Sequence, residues 1–213
     1  MMVSEIERPR AATRARGRRR AALVGLLATV AVATGAGTAD AFRLTGFDWA
    51  YKSRPMGEPW EICTSGMPSG AAAVIKRAAA VWNYGQFRFV FKGNGCSSGG
   101  AFPRLNGVNQ IDFGSQRPGV LATNATSNRQ GDTQECDMRF SDDVPFYVGT
   151  GRVPAGRIDL YSVAVHEFGH CLGLAHSTIP SRPVMFPSFR DGEARRTLRD
   201  DDRRGRNAIY GGG

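Results

Sequence analysis

His166, Glu167, His170 and His176 are spaced for metal chemistry, and the three histidines are the only ones in a chain of 213 residues. Residues four apart on a helix lie nearly one above the other, so His166 and His170 can direct ring nitrogens at one ion from a single face, with Glu167 beside them. Gly173 follows three residues after His170, where a residue tolerant of positive φ ends a helix and turns the chain. That turn returns His176 as the third ligand. Zinc in a hydrolase takes three protein ligands and keeps a fourth position for water, whose pKa it lowers towards about 7. A neighbouring carboxylate then takes the proton. A bare His-Glu-x-x-His helix arises by chance in unrelated chains, but the pattern extended by Gly173, His176 and a downstream Met185 is far more restrictive.

These side chains need an α+β frame. Asp159 is placed to cap the helix that carries them. Upstream, Trp60-Glu61-Ile62-Cys63 reads as a short strand. Ser69 can cap a helix whose Val74, Ala78, Val81 and Trp82 recur at helical spacing, and Phe87 to Phe91 alternates as the next strand. Strand, helix and strand at this spacing imply a parallel pair. A Gly/Ser loop from Gly93 to Gly100 separates these from further strands at Gln110 to Phe113, Gly119 to Ala125 and Cys136 to Phe140. Thr197 and Asp200 fit a capping box opening a last helix, whose inward face would carry Leu198, Asp202, Gly205 and Ile209. A carboxylate there requires a partner.

Residues 1–41 read as a secretory signal: an Arg cluster from Arg14 to Arg20, an apolar run from Ala21 to Ala33, and small residues ending Ala39-Asp40-Ala41. The run is too short for a spanning helix, which needs about 20 residues, so the expectation is a secreted, extracellular protein without stable membrane insertion. The twin-arginine and general secretory routes both suit Arg18-Arg19-Arg20. Removing the leader takes away seven Arg and three acids and lowers the formal charge from +9 to +5. Much of the basic character thus belongs to the leader, and no nucleic-acid partner is expected. Residues 42–213 suffice for one domain.

Four cysteines in an exported chain point to two disulfides, for which three connectivities are possible. At 100° per residue Cys171 lies about 140° around the helix from His166, facing the core and not the ion. Cys63 and Cys96 sit at the same end of the expected parallel pair, which favours Cys63 with Cys96 and Cys136 with Cys171.

His-Glu-x-Gly-His-x-Leu-Gly-Leu-x-His-Ser, from His166 to Ser177, resembles the zinc motif of matrixins, the matrix-metalloproteinase branch of the metzincins. Ser177 after the third ligand is the residue specific to that branch. Val184-Met185-Phe186-Pro187 resembles the Met-turn, with Met185 beneath the zinc, and Pro187, Ser188 and Phe189 the wall of the S1′ pocket. Leu198 to Gly211 resembles the last matrixin helix with its paired aspartates. The likeness implies a secreted bacterial member with a twisted, mostly parallel five-stranded sheet, one antiparallel edge strand and three helices. It also implies that Leu121 and Ala122 lie on the strand that binds substrate backbone.

The departures from the family are specific. Thr123 and Arg139 stand where matrixins place histidines for a structural zinc, so one catalytic Zn2+ is expected. Calcium is possible, although Ser141 and Val144 weaken its acidic ligands. Residues 42–59 hold no cysteine that could block the zinc. The expectation is therefore a monomeric endopeptidase acting on protein or peptide, with Glu167 as general base. A hydrolase of a non-peptide amide would keep the same zinc residues, and a zinc-stabilised binding module would not need Glu167.

Overall fold

The computed structural model describes residues 1–8, 42–49, 57–96 and 102–211. In chain order the elements are β1 (Met2–Glu7), β2 (Arg43–Leu44), β3 (Gly57–Ile62), α1 (Ala71–Ala80), β4 (Arg88–Asn94), β5 (Gln110–Gly114), β6 (Val120–Arg129) and β7 (Asp132–Ser141). β8 (Phe146–Tyr147), β9 (Ile158–Asp159), α2 (Leu160–Leu172), β10 (Leu174–Ala175) and α3 (Asp200–Tyr210) complete the fold.

The main sheet has the order β1-β6-β7-β5-β3-β4. β7, β5, β3 and β4 run parallel, and β6 is antiparallel to β7. These five strands and three helices form the expected α+β architecture. Residues 2–7 add a sixth strand, antiparallel on the outer edge of β6. The Arg14–Arg20 cluster, the apolar run Ala21–Ala33 and the Ala39–Ala41 segment of the expected leader lie outside the described residues. No helix among the described residues is long and apolar enough to cross a membrane.

α1 carries the crossover between β3 and β4 and packs on α2, which lies against β6. Buried Val74, Ile75 and Ala78 of α1 meet the apolar side of α2, Val163, Ala164 and Phe168, in one core. Aromatic donors fix α2 within it. The indoles of Trp82 and Trp49 donate to the carbonyls of Val165 at 2.7 Å and Cys171 at 2.8 Å, and the Tyr210 hydroxyl donates to Leu172 at 3.0 Å. Each bond satisfies a polar ring atom that burial would otherwise penalise.

Helix starts differ from expectation in two places. α1 opens on Gly70 at φ 81°, with no side-chain cap, so Ser69 does not serve there. α3 begins two residues later than a Thr197 box would place it. Asp202 instead accepts the Arg199 N–H at 2.8 Å, because its position on the inward face lets one carboxylate hold both the helix start and the loop beneath the site.

The disulfides join Cys63 to Cys96 and Cys136 to Cys171, with Cα separations of 4.5 and 5.6 Å. The first ties the ends of the parallel neighbours β3 and β4. The second ties β7 to the core side of α2.

Candidate metal centre

α2 starts where Asp159 caps it, its carboxylate accepting from the Ser162 N–H at 3.2 Å and hydroxyl at 2.6 Å. Arg196 neutralises that buried acid through two bonds of 2.7 and 2.8 Å. Two glycines shape the helix. Gly169 faces Met185 and Trp82, and a Cβ there would overlap the Met185 sulfur. Gly173 ends the helix at φ 113°, its N–H donating to the His170 carbonyl at 3.0 Å, and so sends the chain into β10 and back to His176.

Three imidazoles converge. Their Nε2 atoms are 3.0, 3.1 and 3.2 Å apart. His166 Nδ1 donates to the Val184 carbonyl at 2.8 Å and His170 Nδ1 to the Leu174 carbonyl at 2.7 Å. With the ring protons committed to those carbonyls, the facing Nε2 atoms of His166 and His170 are bare acceptors. Bare acceptors this close repel unless a cation lies between them. Nitrogens about 2.0–2.1 Å from a tetrahedral zinc stand roughly 3.3 Å apart, close to the observed triangle. The residues therefore fit zinc. Among the described residues they are also the one cluster of three or more His, Cys, Asp or Glu side chains that could hold a metal.

The electrostatics agree. Burial, with repulsion from the other two rings, holds His166 well below the usual imidazole range, and burial together with His176 lowers His170 to about 3. Burial lowers His176 as well. All three are thus neutral, the form that ligates metal. Glu167 is fully buried and neither carboxylate oxygen has a hydrogen-bond partner. Burial, and after it the charge of Glu5, pushes its pKa well above the carboxylate range. A glutamate kept only for structure would be bonded; this one is available to a proton donor.

The segment after His176 packs against α2 and the ring of His166. Met185 is buried against α2, and Asp202 accepts from the N–H groups of Val184 and Met185 at 3.0 and 3.1 Å. Ser177 donates its hydroxyl to Asp201 at 2.7 Å. The paired aspartates of α3 thus brace the Met-turn and the residue after the third histidine. Pro187, Ser188 and Phe189 follow, with Phe189 fully buried. Leu121 and Ala122 lie buried on β6, whose outer edge faces this segment across β1.

Arg195 has no local pattern in the sequence to mark it. Its guanidinium lies 3.5 Å over the Phe189 ring and donates to the carbonyls of Pro183 at 2.8 Å, Phe186 at 3.0 Å and Ser188. Glu193 pairs with it at 3.1 Å. Burial lowers its pKa to about 10, which still leaves it charged at neutral pH. One side chain therefore ties the turn around Val184 and Met185 to Ser188 and Phe189. Only the fold brings these carbonyls to a common point, so spacing within the loop could not single this arginine out.

Thr123 and Arg139 stand directly opposite each other across β6 and β7. Arg139 makes a bidentate bond to Asp112 at 2.9 and 2.7 Å, and Arg104 adds a third at 2.7 Å. A guanidinium pair on a buried carboxylate occupies the region where the family resemblance would have put histidine ligands.

Residues 71–211 match the matrixin family. Fifty residues are 54% identical to matrix metalloproteinase-2 of Drosophila melanogaster, covering 24% of this chain and 6% of that protein. Fifty-five are 47% identical to metalloendoproteinase 5-MMP of Arabidopsis thaliana, covering 26% of this chain and 15% of that protein. The matched stretches are thus a small part of either relative. High choriolytic enzyme 1, a hatching enzyme zinc-protease from Oryzias latipes, superposes with a TM-score of 0.41 and 15% identity over 78% of this chain and 96% of that one, a likeness too loose to carry an argument.

Proposed function

This chain belongs to the matrixin family, and on that premise we propose that it is a secreted, monomeric, zinc-dependent endopeptidase of residues 42–213 that hydrolyses peptide bonds. The observation that carries the reading is the triangle of Nε2 atoms beside an unpartnered, buried Glu167.

His166, His170 and His176 would hold one zinc, their Nε2 atoms facing one another. Bound there, zinc supplies Lewis acidity, polarising a peptide carbonyl and lowering the pKa of water towards about 7. Glu167 takes the proton of the attacking water and passes it to the leaving amine. Its buried position raises its proton affinity, which suits both halves of that transfer. The Nδ1 bonds of His166 and His170 keep the ligand rings from rotating. Substrate lies extended along the outer edge of β6 at Leu121 and Ala122, and an apolar P1′ side chain enters the pocket walled by Pro187, Ser188 and Phe189. Arg195 is a positioning residue that holds this wall to the Met-turn.

The availability of Glu167 favours turnover over a zinc-stabilised binding module, which has no use for a bare buried carboxylate. A peptide library digested by the zinc-loaded protein, with Glu167→Ala alongside, tests the reading. Cleavage by the native protein and not by the variant is expected. Hydrolysis confined to non-peptide amides would overturn it.

A further inference from the structure

Residues 2–7 lie in the groove assigned above to substrate, and their role depends on that assignment. β1 runs antiparallel to β6, with Met2 opposite Thr126, Glu5 opposite Thr123 and Ile6 opposite Ala122. On its other side Glu7 lies parallel to Ser188. The Glu7 N–H donates to the Pro187 carbonyl at 3.4 Å, the Glu7 carbonyl accepts from the Phe189 N–H at 3.1 Å, and the Arg8 N–H donates to the Gly119 carbonyl at 3.1 Å. A segment hydrogen-bonded along both edges is held as a strand-adding peptide is held.

The side chains are matched as well as the backbone. Ile6 is 0% exposed and joins the apolar cluster that includes Leu121, Ala122, Met185 and Phe189, whereas Val3 is 48% exposed. Glu5 pairs with Arg117, and Arg8 with Asp191 at 3.5 Å. With this strand in place His166, Glu167 and His170 are at most 3% exposed.

We propose that residues 2–8 are a tethered competitor of the substrate: while attached, they fill the cleft between β6 and the Pro187–Phe189 wall and exclude peptides from the histidine centre. Tethering makes modest contacts sufficient, since a linked segment acts at an effective concentration of up to about a millimolar. Ile6 supplies the apolar anchor. The pairs at Arg117 and Asp191 are surface-exposed and serve mainly to set register. Cutting the chain between Arg8 and β2 frees the strand, so removal of the expected leader would also uncover the site.

The test uses the zinc-loaded full chain and an internally quenched peptide with an apolar P1′ residue. Ile6→Asp removes the anchor, and Glu7→Pro removes the N–H donated to Pro187. Both are expected to lower KM by about tenfold to a hundredfold with kcat little changed, as loss of a competitive occupant requires. Hydrogen exchange within residues 120–126 should rise in step, and free peptide of residues 3–8 should restore inhibition. Unchanged KM and unchanged exchange in both variants would overturn the proposal. So would loss of residues 1–5 through cleavage by the chain itself, since an occupant that is cut does not compete. Rising exchange with no peptide hydrolysis by the native chain or either variant would leave the occupant standing and sink the peptidase reading instead.

Discussion

His166 Nδ1 lies 2.8 Å from the carbonyl oxygen of Val184, so the first ring of the metal centre is aimed by the residue that precedes Met185. Val184 is in turn held from two sides. Asp202 takes its N–H, and Arg195 ties the carbonyls of Pro183 and Phe186 that flank it. The aim of a candidate metal ligand on α2 thus depends on a carboxylate of α3 and on a loop arginine.

Arg195→Met should therefore act on both stability and binding. Buried carbonyls lose their donor and Phe189 loses its cationic neighbour, a cost of about 2–4 kcal/mol. The expected results are a lower melting temperature and a raised KM for substrates with a bulky apolar P1′ residue, both partly restored by Arg195→Lys. A variant with native stability and native KM would show that the wall holds its shape without this residue.

Glu167→Ala should bind zinc as the native protein does and lose turnover by about a hundredfold to ten-thousandfold, the usual contribution of a positioned base. Metal content by elemental analysis and initial rates on one peptide check it together. Near-native turnover at full zinc occupancy would remove Glu167 from the mechanism.

Stability against pH gives a test that needs no substrate. In the chelated, unfolded chain the histidines take up protons near their ordinary pKa of about 6.5, whereas folded His170 resists protonation down to about 3. Across that interval the unfolded state binds more protons, so stability falls as pH falls. Asp137 and Asp202 act with the opposite sign: burial raises their folded pKa values, so they favour the fold as pH drops into the carboxylate range. Glu167, whose folded pKa burial raises well above the carboxylate range, opposes the histidines within the same interval, but one carboxyl stands against three imidazoles and a net decline remains. The melting temperature of chelated protein should decline from pH 7.5 to 5.5 and much less with zinc bound. A flat profile without metal would mean that the rings are not buried in the neutral form.

The zinc helix is legible in the sequence because its information is local. The spacing of His166 and His170, the cap at Asp159 and the turn at Gly173 all act within one helix and its ends, and the structure shows the same cap and the same turn. Helical phase alone places Cys171 on the core side. The bracing at Arg195 is different in kind: its partners gather only after the loop from Pro183 to Ser188 has folded over α2. β1 is another such case. Met2 to Glu7 carries two acids and weak alternation, and it becomes a strand only because the edge of β6 is there to pair with it. The starts of α1 and α3 depart from local preference because Gly70 at positive φ and the inward Asp202 replace the hydroxyl caps at Ser69 and Thr197.

One zinc per chain should remain after loose metal is removed, since Arg139 and Thr123 face each other without imidazoles and Asp112 is occupied by two guanidinia. Arg139→Ala leaves Asp112 with Arg104 alone and should cost about 1–3 kcal/mol of stability without changing the zinc count. Elemental analysis and thermal melting would report both. Two tightly held zincs in the native protein would reveal a second site.

The two disulfides should differ in what they protect. They close spans of 33 and 35 residues, so chain entropy alone gives them nearly equal stabilisation of about 2–4 kcal/mol. Their places in the fold are unlike. Cys63 and Cys96 join the ends of β3 and β4, on the opposite side of the sheet from β6, whereas Cys171 lies one residue after His170 on α2 and is fixed through Cys136 to β7. Asn124 braces that second bridge, its amide within 3.1 Å of both sulfurs and 3.3 Å from the Glu167 carbonyl. Losing the Cys136–Cys171 bridge should therefore loosen the helix that carries Glu167. The double variant Cys136→Ala with Cys171→Ala should lose zinc affinity and turnover beyond its loss of stability, while Cys63→Ala with Cys96→Ala should lose stability alone. Assays well below either melting temperature separate the two effects. Equal residual activity at equal zinc occupancy would show that the second bridge contributes to the fold and not to the aim of the site.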